Sequence, residues 1–147
     1  MIFSKACEYG IRAAIYVAQK GLKDERCSLK DISKQVGSPE AFTAKILQKL
    51  VRAAVIKSNK GAAGGFGVDA AIVKKIKLAD IIIAIDGSVN ERHCALGLER
   101  CSEDEPCPVH NKFKHIKRDL VAMIYNTTLY EMAHNFDVGK AFLKVKV

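Results

Sequence analysis

The chain has 147 residues, room for one domain or one domain with a long appendage, and at 49% hydrophobic and 27% charged it can bury a core, which excludes a disordered tail. Its 24 Lys and Arg against 16 Asp and Glu leave a net charge of +8, which favours a polyanionic partner. No apolar run approaches the ~20 residues of a membrane span, and no basic segment leads into an apolar one at the start, so a cytoplasmic protein with no membrane partner is expected, with five cysteines free for metal or redox chemistry.

Ser4 is placed to cap a first helix running to about Gly21, with Ala13, Ala14, Val17 and Ala18 among its apolar residues. Residues 21–27 form a polar connection. Ser28-Leu29-Lys30-Asp31 has the capping-box form and opens a short helix carrying Leu29, Ile32 and Val36, which Gly37 ends. Ser38 then caps a third helix with Pro39 in its first position, and Phe42, Ile46, Leu47, Leu50 and Val51 form its apolar stripe. Two short helices joined by a tight glycine turn make a helix-turn-helix, although any small α-protein can pack such a pair. The next segment favours the first reading. Residues 55–58 have the β-branched content of a strand, residues 59–65 form a glycine-rich loop with a basic entry, and residues 66–68 return as a second strand. A helix-turn-helix followed by a basic hairpin is the order of a winged helix, whose recognition helix enters a major groove while the wing follows the neighbouring backbone or minor groove.

Projected at about 100° per residue, Ala41, Ala44, Lys45, Gln48 and Arg52 fall opposite the apolar stripe. Lys45 and Gln48 can donate to base edges or phosphates, the two alanines let the backbone come close, and Arg52, late in the helix, suits a phosphate. With Pro39 and Glu40 at the helix start and Lys57, Lys60, Gly64 and Gly65 at the wing, these form the candidate DNA-binding set.

Charge is uneven along the chain. Residues 1–90 hold 15 basic and 8 acidic side chains, residues 91–110 hold two Arg and five acids, and residues 111–147 hold seven basic and three acidic. The acidic island contains Cys94, Cys101 and Cys107, separated by six and five residues. Thiolates suit iron–sulfur clusters and zinc. Structural zinc prefers paired cysteines two to four residues apart, so the longer spacings fit a loop wrapped around a larger cluster, with Arg92 and Arg100 placed to offset its negative charge; zinc and three free buried thiols remain the alternatives. His93 is a poorer ligand because side chains of adjacent residues diverge. Cys7 and Cys27 are expected to be structural, with Cys7, next to Glu8, as a minor ligand candidate.

A long helix is expected from about residue 108 to 126. Phe113, Ile116, Leu120, Met123 and Thr127 recur at intervals of three, four, three and four, a heptad-like seam. Met132, Phe136 and Phe142 suggest a final short helix, and residues 137–147 carry weak signals. No nucleotide-binding glycine motif with its Lys-Ser/Thr pair occurs, and no nucleophile–base spacing can be argued, so no enzyme is expected. The competing reading is a redox, electron-transfer or zinc-binding protein that uses the cysteine loop without regulating transcription.

Over residues 1–135 the chain resembles the Rrf2 (IscR, NsrR and CymR-like) family of bacterial winged-helix transcription regulators. The resemblance rests on Ser4-Lys5-Ala6-Cys7-Glu8-Tyr9-Gly10-Ile11-Arg12-Ala13, Ser28-Leu29-Lys30-Asp31-Ile32-Ser33, Gly61-Ala62-Ala63-Gly64-Gly65-Phe66, Leu78-Ala79-Asp80-Ile81-Ile82, Ile85-Asp86-Gly87 and Asn126-Thr127-Thr128-Leu129. It implies a mainly α fold with a small β-hairpin wing and a long dimerisation helix, and a homodimer on an inverted-repeat operator in double-stranded DNA. It also implies a cluster on Cys94, Cys101 and Cys107, two-iron rather than four-iron, that senses redox, iron–sulfur or nitric oxide status. His110, three residues after Cys107, or Glu8 of the partner's first helix would supply the fourth ligand. The expected organisation is a DNA-binding unit over 1–90, a cluster-binding loop over 91–110, the dimerisation helix and a short helix over 111–136, and a tail over 137–147.

Overall fold

The computed structural model describes residues 2–91 and 93–144; Met1, Arg92 and residues 145–147 lie outside the described residues. Helix α1 (Lys5–Gly21) forms the middle of the core. Ser4 caps it, its Oγ accepting from the Cys7 N–H at 3.0 Å, and Cys7, Ala13, Ala14, Val17 and Ala18 are all buried. Small residues on this helix let its neighbours come close. A Cβ on Gly10 would stand 3.0 Å from Ile85 Cγ1.

Helix α2 (Leu29–Val36) starts where Ser28 Oγ accepts from the Asp31 N–H at 3.1 Å and ends at Gly37 with φ +70°. Helix α3 (Glu40–Arg52) begins one residue later than the sequence suggests. Pro39 has ψ 142°, an extended backbone that places it at the cap rather than in the first turn. Ser38 therefore caps nothing, and its buried hydroxyl has no partner. Thr43, 1% exposed and donating to the Pro39 carbonyl at 3.0 Å, takes the interior position expected for Phe42. Phe42 lies at the surface instead, edge-on to Tyr9 with ring centroids 5.8 Å apart.

The wing consists of β1 (Lys57–Asn59) and β2 (Gly65–Gly67), antiparallel, with Ser58 opposite Phe66. Val55 and Ile56 precede the strand as its buried root rather than forming part of it. Cys27 adds a bridge to the other edge of β2, exchanging both backbone hydrogen bonds with Phe66 at 2.9 and 2.8 Å. Gly65 makes this possible: its φ is +120°, and a Cβ there would stand 2.7 Å from the Cys27 carbonyl oxygen. Gly65→Ala is expected to lose roughly 1–3 kcal/mol of stability, read from the midpoint of a urea melt. An unchanged midpoint would show that the wing docks elsewhere.

Helix α4 (Leu78–Asp86) opens with the Lys77 N–H donating to Asp80 Oδ2 at 2.7 Å and closes at Gly87 with φ +85°. A loop carrying the three cysteines leads to α5 (His110–Asn126). Thr128 caps α6 (Leu129–Asp137), which returns against α1 and contributes the buried Leu129 and Ala133 to the core. Gln19 Nε2 donates to Asp137 Oδ1 across this contact at 2.9 Å. Met132 and Phe136 pack there as expected, whereas Phe142 is 77% exposed and Leu143 is the tail residue that packs on the core. The class is mainly helical with a two-strand hairpin. Among the described residues no helix is long and apolar enough to cross a membrane.

Candidate nucleic-acid interface and cysteine loop

Pro39, at the cap of α3, and Glu40, Ala41, Lys45, Gln48 and Arg52 along it are all exposed, with Ala44 half-buried among them. Lys45, Arg52 and Lys60 form no ion pair with the chain's own carboxylates among the described residues. Lys57 differs. Its Nζ sits 3.0 Å from Asp69 Oδ2. The Ala71 N–H and then Lys57 hold the Asp69 carboxyl below its usual range, so it stays ionised and offsets the lysine. Gly64 and Gly65 let the hairpin close on itself and on Cys27. Arg26, which the sequence pattern did not connect with DNA, reaches the Asn59 side chain and brings a further cation beside the wing; only the pairing of Cys27 with β2 reveals that position. Lys60→Ala is expected to weaken binding to every DNA sequence more than Lys57→Ala, and Asp69→Asn to strengthen it, in a fluorescence titration at fixed salt. Equal losses for the two lysines would mean that Lys57 leaves Asp69 for a phosphate.

The cysteine loop brings Cys101 and His110 together. Cys94 is 2% exposed, and its sulfur accepts from the Leu96 N–H at 3.4 Å. The amides of Leu96 and Leu98, with help from the Cys107 side chain and the Gly97 amide, hold its thiol below the ordinary range. Cys101 Sγ lies 3.4 Å from His110 Nδ1, and His110, buried at the start of α5, donates its N–H to the Cys107 carbonyl at 3.0 Å. Among the described residues no three His, Cys, Asp or Glu side chains surround a single point. The donor set itself, three thiols and an imidazole in one loop, fits an iron–sulfur cluster better than it fits a carboxylate-rich metal site. Glu8 stands apart, paired with Lys5 at 3.3 Å in the first turn of α1. Arg100 is exposed beside Cys101. Burial pushes the Cys7 thiol up to about 12 and the Cys27 thiol up to about 11, which keeps both protonated and suits a structural role.

The root of the loop is fastened to α1 and α3. Ser4 Oγ donates to Asp86 Oδ1 at 2.6 Å, and after burial the charge of this carboxylate helps raise the Cys7 thiol. Lys49 Nζ, on α3, donates to the Ile85 carbonyl at 3.2 Å. The last residues of α4 are thus held by α1 and by α3 immediately before Gly87. Lys49 and Asp86 were missed in the sequence because a lysine late in a helix and an aspartate before glycine read as ordinary helix ends.

On α5, Ile124 is the one buried apolar residue. Ile116 is 62% and Met123 43% exposed, and Phe113 and Leu120 are half-buried. Ile116 and Met123 face outward.

The sequence profile of Rrf2, "Iron-dependent Transcriptional regulator", matches residues 3–135. The chain belongs to the Rrf2 family. It is 32% identical over 134 residues, 90% of this chain and 91% of the other, to an HTH-type transcriptional regulator of Aquifex aeolicus (strain VF5). It is 27% identical over 132 residues to the HTH-type transcriptional regulator IscR of Yersinia enterocolitica, covering 88% and 77% of the two chains. The structure of CymR, the global cysteine regulator of B. subtilis, superposes with a TM-score of 0.73 at 23% identity, covering 91% of this chain and 97% of that one, a likeness of fold. This Rrf2 protein is accordingly a DNA-binding transcription regulator and not an enzyme.

Proposed function

We propose that this Rrf2 regulator is a homodimer that reads an inverted-repeat operator and adjusts its affinity through an iron–sulfur cluster held by Cys94, Cys101 and Cys107, in response to redox, iron–sulfur or nitric oxide status. The observation that carries the reading is the loop itself: three cysteines and the buried His110 in one segment, rooted on α1 and on α3, the candidate recognition helix. The family description, iron-dependent, supports it. The cluster is of the two-iron type, and it would supply a charge and a set of bonds that change with oxidation or damage. His110, already against Cys101, is the fourth ligand within the chain; Glu8 of a second copy is the other candidate.

Within the chain, α3 presents Lys45 and Gln48 to base edges and Arg52 to phosphate, with Pro39, Glu40, Ala41 and Ala44 lining the approach. The wing adds Lys57, Lys60 and the backbone of Gly64 and Gly65. The functional units are the DNA-binding unit over 1–90, the loop over 91–110, the dimer-forming segment over 111–136, and a tail over 137–147; α6 packs back on α1.

Protein reconstituted anaerobically with iron and sulfide is expected to turn brown and to carry both elements, with Cys101→Ala losing most of the colour. A colourless protein with stoichiometric zinc would replace this reading with a zinc site.

A further inference from the structure

Residues beyond 135 lie outside the match to Rrf2, yet they fold back onto the helix-turn-helix. Gly139, with φ +72°, turns the chain at the end of α6, and the N–H groups of Lys140 and Ala141 both donate to the Asn135 carbonyl, at 2.9 and 3.0 Å. Leu143 then packs against the core, while Phe142 is left in water. From this anchor Lys144 Nζ reaches the last turn of α2 and donates to the Lys34 carbonyl at 3.3 Å. That carbonyl is one of those a helix leaves unpaired at its C-terminus, since the Gly37 and Ser38 N–H groups both go to the Ser33 carbonyl instead. A cation also suits the negative end of the helix dipole there. Lys30 and Lys34 are exposed on α2, whose one acid is Asp31. Neither these two lysines nor Lys140 and Lys144 form an ion pair among the described residues.

We propose that the segment after Gly139 is a docked arm that sets the Lys144 ammonium on the DNA backbone beside the helix-turn-helix, adding a phosphate contact to those of α3 and the wing in each protomer. The arm acts only if α2 and α3 face DNA, as proposed above. In a helix-turn-helix the first helix crosses the backbone and the second enters the major groove by its N-terminal end. Lys144 is held at the end of that first helix, just before the chain turns at Gly37 into α3. An ammonium carries three donors; one goes to the Lys34 carbonyl, and the others are free for a phosphate oxygen. A phosphate carries no base identity, so the arm strengthens binding to every sequence and loses its effect as salt rises. Leu143 makes it an arm rather than a loose cation: the apolar anchor fixes where the lysine starts, so less freedom is lost when DNA arrives.

The test measures binding of the full chain to a fluorescein-labelled, mixed-sequence duplex of about 30 base pairs, long enough for two half-sites a turn apart and their flanks. Anisotropy titrations are repeated over a range of potassium chloride concentrations. Lys144→Gln should flatten the plot of log affinity against log salt by about 0.9 for each arm that touches a phosphate, and Lys144→Arg should keep the wild-type slope. Leu143→Ser keeps every charge but undocks the arm, and it should lose the same part of the slope. A wild-type slope in Lys144→Gln, whether or not its thermal midpoint falls, overturns the proposal and leaves the lysine as a cap of α2. A flattened slope in Lys144→Gln beside a wild-type slope in Leu143→Ser overturns the docking, since a loose cation then suffices. Arg52→Gln, on α3, is titrated alongside. If it flattens the slope and Lys144→Gln does not, the arm alone falls; if neither variant does, the placing of α2 and α3 on DNA falls with it.

Discussion

Replacing Ile116 with glutamate is expected to leave a folded monomer that has lost its operator. Ile116 is 62% exposed, so within the protomer the new carboxylate stays in water and the fold loses little. In a dimer built on the α5 seam the same carboxylate would be buried between two helices with no partner, at a cost of several kcal/mol, roughly the 3–5 kcal/mol of an uncompensated buried charge. Two linked recognition helices bind an inverted repeat with an affinity that neither has alone, a gain of about 10²–10⁴ from the second, intramolecular contact. The variant should therefore run as a monomer by light scattering, keep its far-ultraviolet melt, and bind the operator at least about 100-fold more weakly. Leu120 is a poorer place for the experiment, since it is half-buried and packs on the protomer's own core, so a charge there would disturb fold and interface together. A stable dimer of the Ile116→Glu chain would move the interface off this helix.

The seam also shows what a single sequence conveys. Spacing alone marked Phe113, Ile116, Leu120 and Met123 as one face, because an apolar period of three and four is a local property of a helix. The caps at Ser4 and Ser28 and the stop at Gly37 were equally legible, each depending on atoms within a few residues. Reading failed where a distant partner decides. Phe42 fits the stripe of α3, but Tyr9 takes its ring at the surface while Thr43 turns inward. Cys27 lies in a polar connection and is drawn into the wing by Phe66, a residue far along the chain.

The cysteine loop divides the same way. Its donor types and spacing are written in the sequence, and they pointed to a cluster. Which cysteine meets which neighbour is not written there, because a loop without regular structure takes its shape from tertiary contacts such as His110 on Cys101. The binding set shows a similar limit: Lys57 reads as a free wing cation, and only the fold reveals Asp69 beside it.

The contact from Lys49 to Ile85 carries the other large expectation, that Lys49→Met will disconnect the loop from the recognition helix. The bond spans 3.2 Å between α3 and the last turn of α4, just before the chain enters the loop. A change of state in the loop can shift α3 only if the end of α4 has different interactions with it in the two states. Lys49 supplies one such interaction directly, and Asp86 supplies another through Ser4 and α1. Methionine keeps the length and the apolar stem of lysine but cannot donate. Loss of its charge weakens DNA binding in both states alike, so the informative quantity is the ratio of operator affinities with and without the cluster, measured anaerobically in one salt. In the wild-type chain that ratio should lie between about 5 and 150, and in Lys49→Met it should fall towards one while the cluster's absorption spectrum stays unchanged. Arg52→Met provides the comparison, since it removes a charge from the same helix with no hydrogen bond to α4 among the described residues, and its ratio should remain that of the wild type. If Lys49→Met also keeps the wild-type ratio, coupling through this contact is ruled out and the α1 route through Asp86 carries the signal.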